Sequence, residues 1–120
     1  MTIPHNKQRY PTAGDWMFSK KGNLLIQISH MQNWKYEFLV GLHELIESVL
    51  CKDRGINQKE VDEFDIEFEK NRKEGNQDEP GDDFKAPYHN EHQVATFIEK
   101  MMADELGVSW KEYDKTVNEL

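Results

Sequence analysis

The stretch Asn33-Trp34-Lys35-Tyr36-Glu37-Phe38-Leu39-Val40-Gly41-Leu42-His43-Glu44-Leu45-Ile46-Glu47-Ser48-Val49-Leu50-Cys51-Lys52 decides the architecture of this chain. Asn33 is an N-cap residue, and its side chain suits the free N–H groups of a first turn. Phe38, Leu39, Val40, Leu42, Leu45, Ile46, Val49 and Leu50 cover most of a helical circumference, which predicts a helix over 34–52 buried on several sides. Gly55 fits the stop. Within this apolar helix stand three titratable groups, His43, Glu44 and Glu47. His43 and Glu47, four residues apart, project from one face, whereas Glu44 lies about 100° around the helix.

On the N-terminal side, 15–18 and 24–29 are apolar runs flanking Ser19-Lys20-Lys21-Gly22-Asn23, the pattern of a β-hairpin over 15–29. Residues 1–14 carry two prolines and read as an extended arm, with Tyr10-Pro11 docking on the body. On the C-terminal side, Asn57 with Glu60 opens a helix over 58–72 whose apolar stripe is Val61, Phe64 and Phe68. Residues 74–87 read as an exposed acidic loop with a turn at Pro80-Gly81. Asn90 caps a helix over 91–106, in which Phe97, Met101 and Met102 read as core, and Ser109 with Glu112 caps a last short helix. The expected fold is α+β: one domain over 1–120, an N-terminal β-hairpin followed by about four α-helices packed as a small bundle over 33–120.

Composition narrows the function. The 120 residues carry a net charge of −8 and no basic stripe, so no nucleic-acid partner is expected. No run is long and apolar enough for a membrane span, and the single cysteine, Cys51, excludes a disulfide framework. A cytoplasmic protein is the expectation, with Cys51 an inert buried thiol.

An imidazole and a carboxylate one helical turn apart can hold one face of a divalent cation, and Glu44 is placed to address water. Such a site needs a third ligand. His92 starts the third expected helix, with Ala95 and Glu99 continuing a polar strip of low bulk, so His92 is the preferred third ligand. Asp65 and Glu99 are further candidate ligands. Zinc is the first expectation, and manganese or iron also accept mixed imidazole and carboxylate ligation. A buried hydrogen-bond network with arginine or tyrosine partners is the competing account of the same residues.

The hairpin followed by Leu42-His43-Glu44-Leu45-Ile46-Glu47 resembles the core of zincin-type metallopeptidases over residues 14–52, about a third of the chain. That resemblance implies His43 and Glu47 as ligands, Glu44 as general base, and hydrolysis of a peptide or amide bond. The sequence departs from the zincin pattern in having Glu47 where the second histidine is usual, and it has no downstream motif for the third ligand. The whole chain is also similar to small proteins of bacteriophages and prophages, a likeness that implies no particular activity. Two alternatives stay open. One is a non-enzymatic accessory protein, binding a protein partner or forming a homo-oligomer, in which Tyr10 and Trp16 belong to an aromatic arm. The other is a magnesium-dependent nucleotide pyrophosphohydrolase, for which Glu44-Leu45-Ile46-Glu47 supplies one Glu-x-x-Glu half while Glu99 and Asp104 miss the spacing of the second.

Overall fold

The computed structural model describes residues 1–120. Its elements are β1 (Thr2–Ile3), β2 (Gly14–Phe18), β3 (Leu24–Ser29), α1 (Trp34–Asp53), α2 (Gln58–Lys70), α3 (His89–Glu105) and α4 (Trp110–Asn118). A single 3-10 turn marks each of His5–Lys7 and Pro80–Asp82. The fold is α+β, with a three-stranded sheet preceding four helices.

The hairpin forms as its sequence dictates. β2 and β3 run antiparallel with Trp16 opposite Ile26, and Gly22 takes a positive φ of 84° in the connection. The arm does more than dock. Thr2–Ile3 adds a short parallel strand to β3, giving the order β1-β3-β2. Farther along the arm, Arg9 bridges Asp15 and Asp62, and the Tyr10 hydroxyl donates to Asp65 at 2.9 Å.

The caps explain most helix starts. Asn33 Oδ1 accepts from Lys35 and Tyr36, Asn57 Oδ1 from Lys59, and Ser109 Oγ from Glu112. α3 begins at His89, ahead of the expected Asn90 cap, because the chain already turns where the His89 N–H bonds the Ala86 carbonyl at 3.1 Å.

The sheet lies directly on α1. A Cβ at Gly14 would sit 2.6 Å from Val40 Cγ1 and 2.8 Å from Glu44 Cγ, and one at Gly41 would sit 2.8 Å from Ile28 Cδ1. α3 packs on an adjacent face of α1. Nothing covers the outer side, so Trp34, Phe38, Leu45 and Val49 are exposed, as are Phe97 and Met101 on α3. α1 is thus buried where it meets the sheet and α3 but open on its outer side, and Phe97 and Met101, expected as core, are exposed. Apolar residues around a helix show what it is able to bury, and the elements needed to cover this face pack elsewhere.

Two apolar clusters stabilise the domain. Trp16, Cys51, Val61, Ala86 and Tyr88 form one, and Leu39, Val40, Ala103 and Tyr113 the other. On α1, His43 and Glu47 fall between Val40 and Cys51. On α3, His92 and Glu99 fall between Tyr88, the residue before the helix, and Ala103. A polar seam thus separates the two clusters. Because β2 touches α1 with no side chain between them at Gly14, Gly14→Ala should cost about 1–3 kcal/mol, read as a lowered midpoint in chemical denaturation.

Candidate metal centre

The strip His92-Ala95-Glu99 of α3 faces His43 and Glu47 of α1, and all five residues are buried. Ala95 has no bulk to hold the helices apart, so the four polar side chains meet. His43 Nε2 lies 3.0 Å from Glu47 Oε2 and 3.1 Å from His92 Nδ1, and His92 Nδ1 lies 3.0 Å from the same Glu47 oxygen. Three donor atoms from three residues form a nearly equilateral triangle.

The outward atoms of these residues are also held. His43 Nδ1 lies 2.8 Å from Glu99 Oε1, so it carries the proton donated to that carboxylate and leaves Nε2 facing inward. Glu99 Oε2 in turn accepts from the Tyr113 hydroxyl at 2.6 Å. His92 Nε2 lies 3.2 Å from both Asp82 Oδ1 and Glu79 Oε2, leaving Nδ1 inward. Glu47 Oε1 accepts from the Trp16 indole N–H at 3.0 Å, leaving Oε2 inward. Each inward atom therefore belongs to a side chain whose orientation a second residue fixes.

This donor set fits a divalent cation. A point about 1.2 Å off the plane of the triangle is about 2.1 Å from all three atoms, an ordinary bond length to imidazole nitrogen and carboxylate oxygen. The angle subtended there is about 90°, the facial corner of an octahedron; a zinc tetrahedron requires each edge to widen by about 0.4 Å. Two imidazoles and one carboxylate suit zinc, iron or manganese alike.

The electrostatics point the same way. Burial disfavours a charged Glu47 carboxylate, yet His43 and His92 hold it down at about 2. Burial likewise disfavours the His92 imidazolium, but Asp82, Glu47 and Glu79 lift it to about 12, and Glu47 and Glu99 lift His43 well above its ordinary range. Carboxylates crowd the site enough to demand positive charge inside it, whether protons or an ion supply it. Glu44 behaves oppositely. Burial, and then the neighbouring Glu47 charge, push its carboxyl well above the usual carboxylate range. Glu44 lines the same cavity of about 330 Å³ as His43, Glu47 and His92, over Gly14, with no hydrogen bond to another residue.

Glu99 touches His43 from outside the triangle, as its hydrogen-bond acceptor and not at its inward nitrogen. Asp65 is taken up elsewhere: its two oxygens accept from Tyr10 and from Tyr88, the latter at 2.5 Å. Trp16 is buried, 4% exposed, and belongs to the centre and not to a partner-binding arm. The loop over 74–87 is not simply solvated, since Glu79 and Asp82 return to His92. Trp16, Tyr113, Glu79 and Asp82 also reach the site, and the sequence pattern does not mark them for it. The one available sign was that a buried indole N–H or phenol needs an acceptor.

Burial pushes the Asp65 carboxyl up from 3.8 to about 7, against the pull of the Tyr88 and Tyr10 hydroxyls. The folded protein then holds a proton that the unfolded chain releases near pH 4, so this group's contribution to stability declines as pH rises from about 4 through 7. Asp65→Asn should remove that slope, and the stability difference between the two proteins should change by up to about 4 kcal/mol between pH 4 and 8 in urea titrations. The chain matches no family model, and no curated protein or solved structure is detectably similar to it.

Proposed function

We propose that this protein is a metal-dependent hydrolase of zincin-like design, with His43, Glu47 and His92 as ligands and Glu44 as general base, acting on a peptide or amide bond. The observation that carries this reading is the triangle of inward donor atoms with each imidazole's outward nitrogen on a carboxylate. Two imidazole nitrogens and one carboxylate oxygen that meet at one point, with the outward nitrogens held by other carboxylates, are an arrangement that one cation can share.

The ion supplies polarisation of the scissile carbonyl and a more acidic water. The rest belongs to the chain. Glu44 accepts the proton that water loses as its oxygen bonds to the carbonyl carbon. It then gives that proton to the amine nitrogen as the C–N bond breaks, leaving a carboxylic acid and an amine. A carboxyl held above its ordinary range by burial and by Glu47 suits this, because Glu44 has to keep a proton between the two steps. Trp16, Glu99 and Tyr113 keep the ligands in register. The metal is zinc by the zincin likeness, with manganese and iron as the other ions that the facial corner admits.

Protein purified without chelator should contain about one equivalent of divalent metal by elemental analysis. His92→Ala and Glu47→Ala should lose it. Glu44→Gln should keep the metal while cleavage of a fluorogenic peptide library falls by about 10²–10⁴. Absence of stoichiometric binding after reconstitution with zinc, manganese and iron would defeat the proposal.

A further inference from the structure

The segment Glu79-Pro80-Gly81-Asp82 reads in sequence as the tip of a solvated acidic loop, yet it is built against the centre. Gly81 is buried, and a Cβ there would fall 2.3 Å from His92 Cγ, so only glycine lets the backbone lie on the imidazole. The Gly81 carbonyl accepts from His89 Nδ1 at 2.9 Å, one turn before His92 on α3. From the other side Arg72 holds the incoming chain through the Asn76 and Asp78 carbonyls. The turn is anchored on both flanks of the carboxylates it presents.

Those two carboxylates differ. Asp82 is committed: Oδ2 accepts the Glu79 N–H at 3.0 Å, and Oδ1 faces His92 Nε2 at 3.2 Å. Glu79 has no arginine or lysine partner. Its Oε2 lies 3.2 Å from His92 Nε2, and its side chain is 50% exposed. Glu79, His43 and His92 each offer a ligand atom within 4.8 Å of the others, so one ion can be shared among them once the half-exposed Glu79 side chain swings from the outward His92 Nε2, which Asp82 keeps, toward the inward side of the ring.

We propose that Glu79 is a fourth protein ligand of the ion, brought to it by the 79–82 turn. The inference rests on reading His43, Glu47 and His92 as ligands. A half-exposed carboxylate on a turn is able to leave the ion without unpacking the core. Glu79 therefore steadies the resting site and yields its position to water or substrate, whereas Asp82 orients His92.

Full-length apoprotein titrated with zinc by competition against a chromogenic chelator tests this, with the cobalt form giving a visible ligand-field spectrum. Glu79→Gln should bind zinc at least about tenfold more weakly and alter the cobalt bands, with Glu79→Asp restoring part of both. Circular dichroism of the apoprotein should match the wild type, as befits a half-exposed side chain on a turn, so that the loss is one of binding and not of folding. Wild-type affinity and an unchanged cobalt spectrum in Glu79→Gln would overturn the assignment of Glu79, and if His92→Ala abolished binding in the same series the three-ligand centre would stand. Failure of the wild-type protein to bind either metal would remove both.

Discussion

One oxygen, Glu47 Oε2, sits 3.0 Å from an imidazole nitrogen on its own helix and 3.0 Å from another on the helix opposite, and the packing of α1 on α3 is arranged around that meeting. A buried carboxylate without compensation costs several kcal/mol, and removing one partner from such a cluster typically costs about 3–5 kcal/mol. The sequence accommodates this with Ala95 and Ala103 on α3, both nearly inaccessible, which bring the helices close enough for short side chains to converge. The same polar seam divides the apolar core in two. A continuous leucine-rich interface here would pack better and would hold the helices together without a ligand. The divided core is the cost of placing four titratable groups at one point, which an ion or two protons must then neutralise.

The supports of this point come from every part of the chain. Trp16 arrives from β2 through the hairpin, Asp82 and Glu79 from the turn before α3, and Tyr113 from α4 through Glu99. An outer partner on each histidine selects which ring nitrogen is left with a lone pair, and the indole selects which Glu47 oxygen is free. The hairpin has a second role. Its glycine at position 14 lets β2 lie against Val40 and Glu44, so the strand that carries Trp16 also forms the wall under Glu44. Fold and site share the same few close approaches.

Much of this was legible in the residues. The caps Asn33, Asn57 and Ser109 and the glycines at the helix ends are local signals, since each acts within a turn of its own position. The pairing of His43 with Glu47 and the polar strip His92-Ala95-Glu99 follow from helical periodicity alone. What periodicity cannot supply is the partner of each surface. It placed Glu99 with the ligands, because a carboxylate two turns from His92 on the same face is indistinguishable in sequence from one that reaches the outer nitrogen of His43. Asp65 looked similar and met two tyrosines, one of them from an arm 55 residues away. The acidic turn was hardest to read, because glycine at position 81 is a common turn residue and only the approach of His92 gives it a further reason. The open outer face of α1 has the same origin: hydrophobicity records capacity for burial, and coverage depends on where α2 and α4 go.

Glu44 and Glu47 show how far environment outweighs residue type. They are three positions apart on one helix and line one cavity, yet their carboxyls shift in opposite directions. Glu47 faces two imidazoles and an indole N–H, so its charged form is favoured despite burial. Glu44, about 60° farther around the helix by the count of residues, meets Gly14, Val40 and the charge of Glu47 itself, so its neutral form is favoured. The ionised member of the pair is what a cation would need, and the more basic carboxylate of the other is what the proposed uptake of a proton from water would need. Exchanging the two environments would exchange the two shifts, lowering the carboxyl at position 44 and raising the one at position 47. The pairing of a wall made of glycine with a seam made of histidine therefore places two identical side chains in two opposed electrostatic environments, and it does so by geometry that the hairpin and α3 impose on α1.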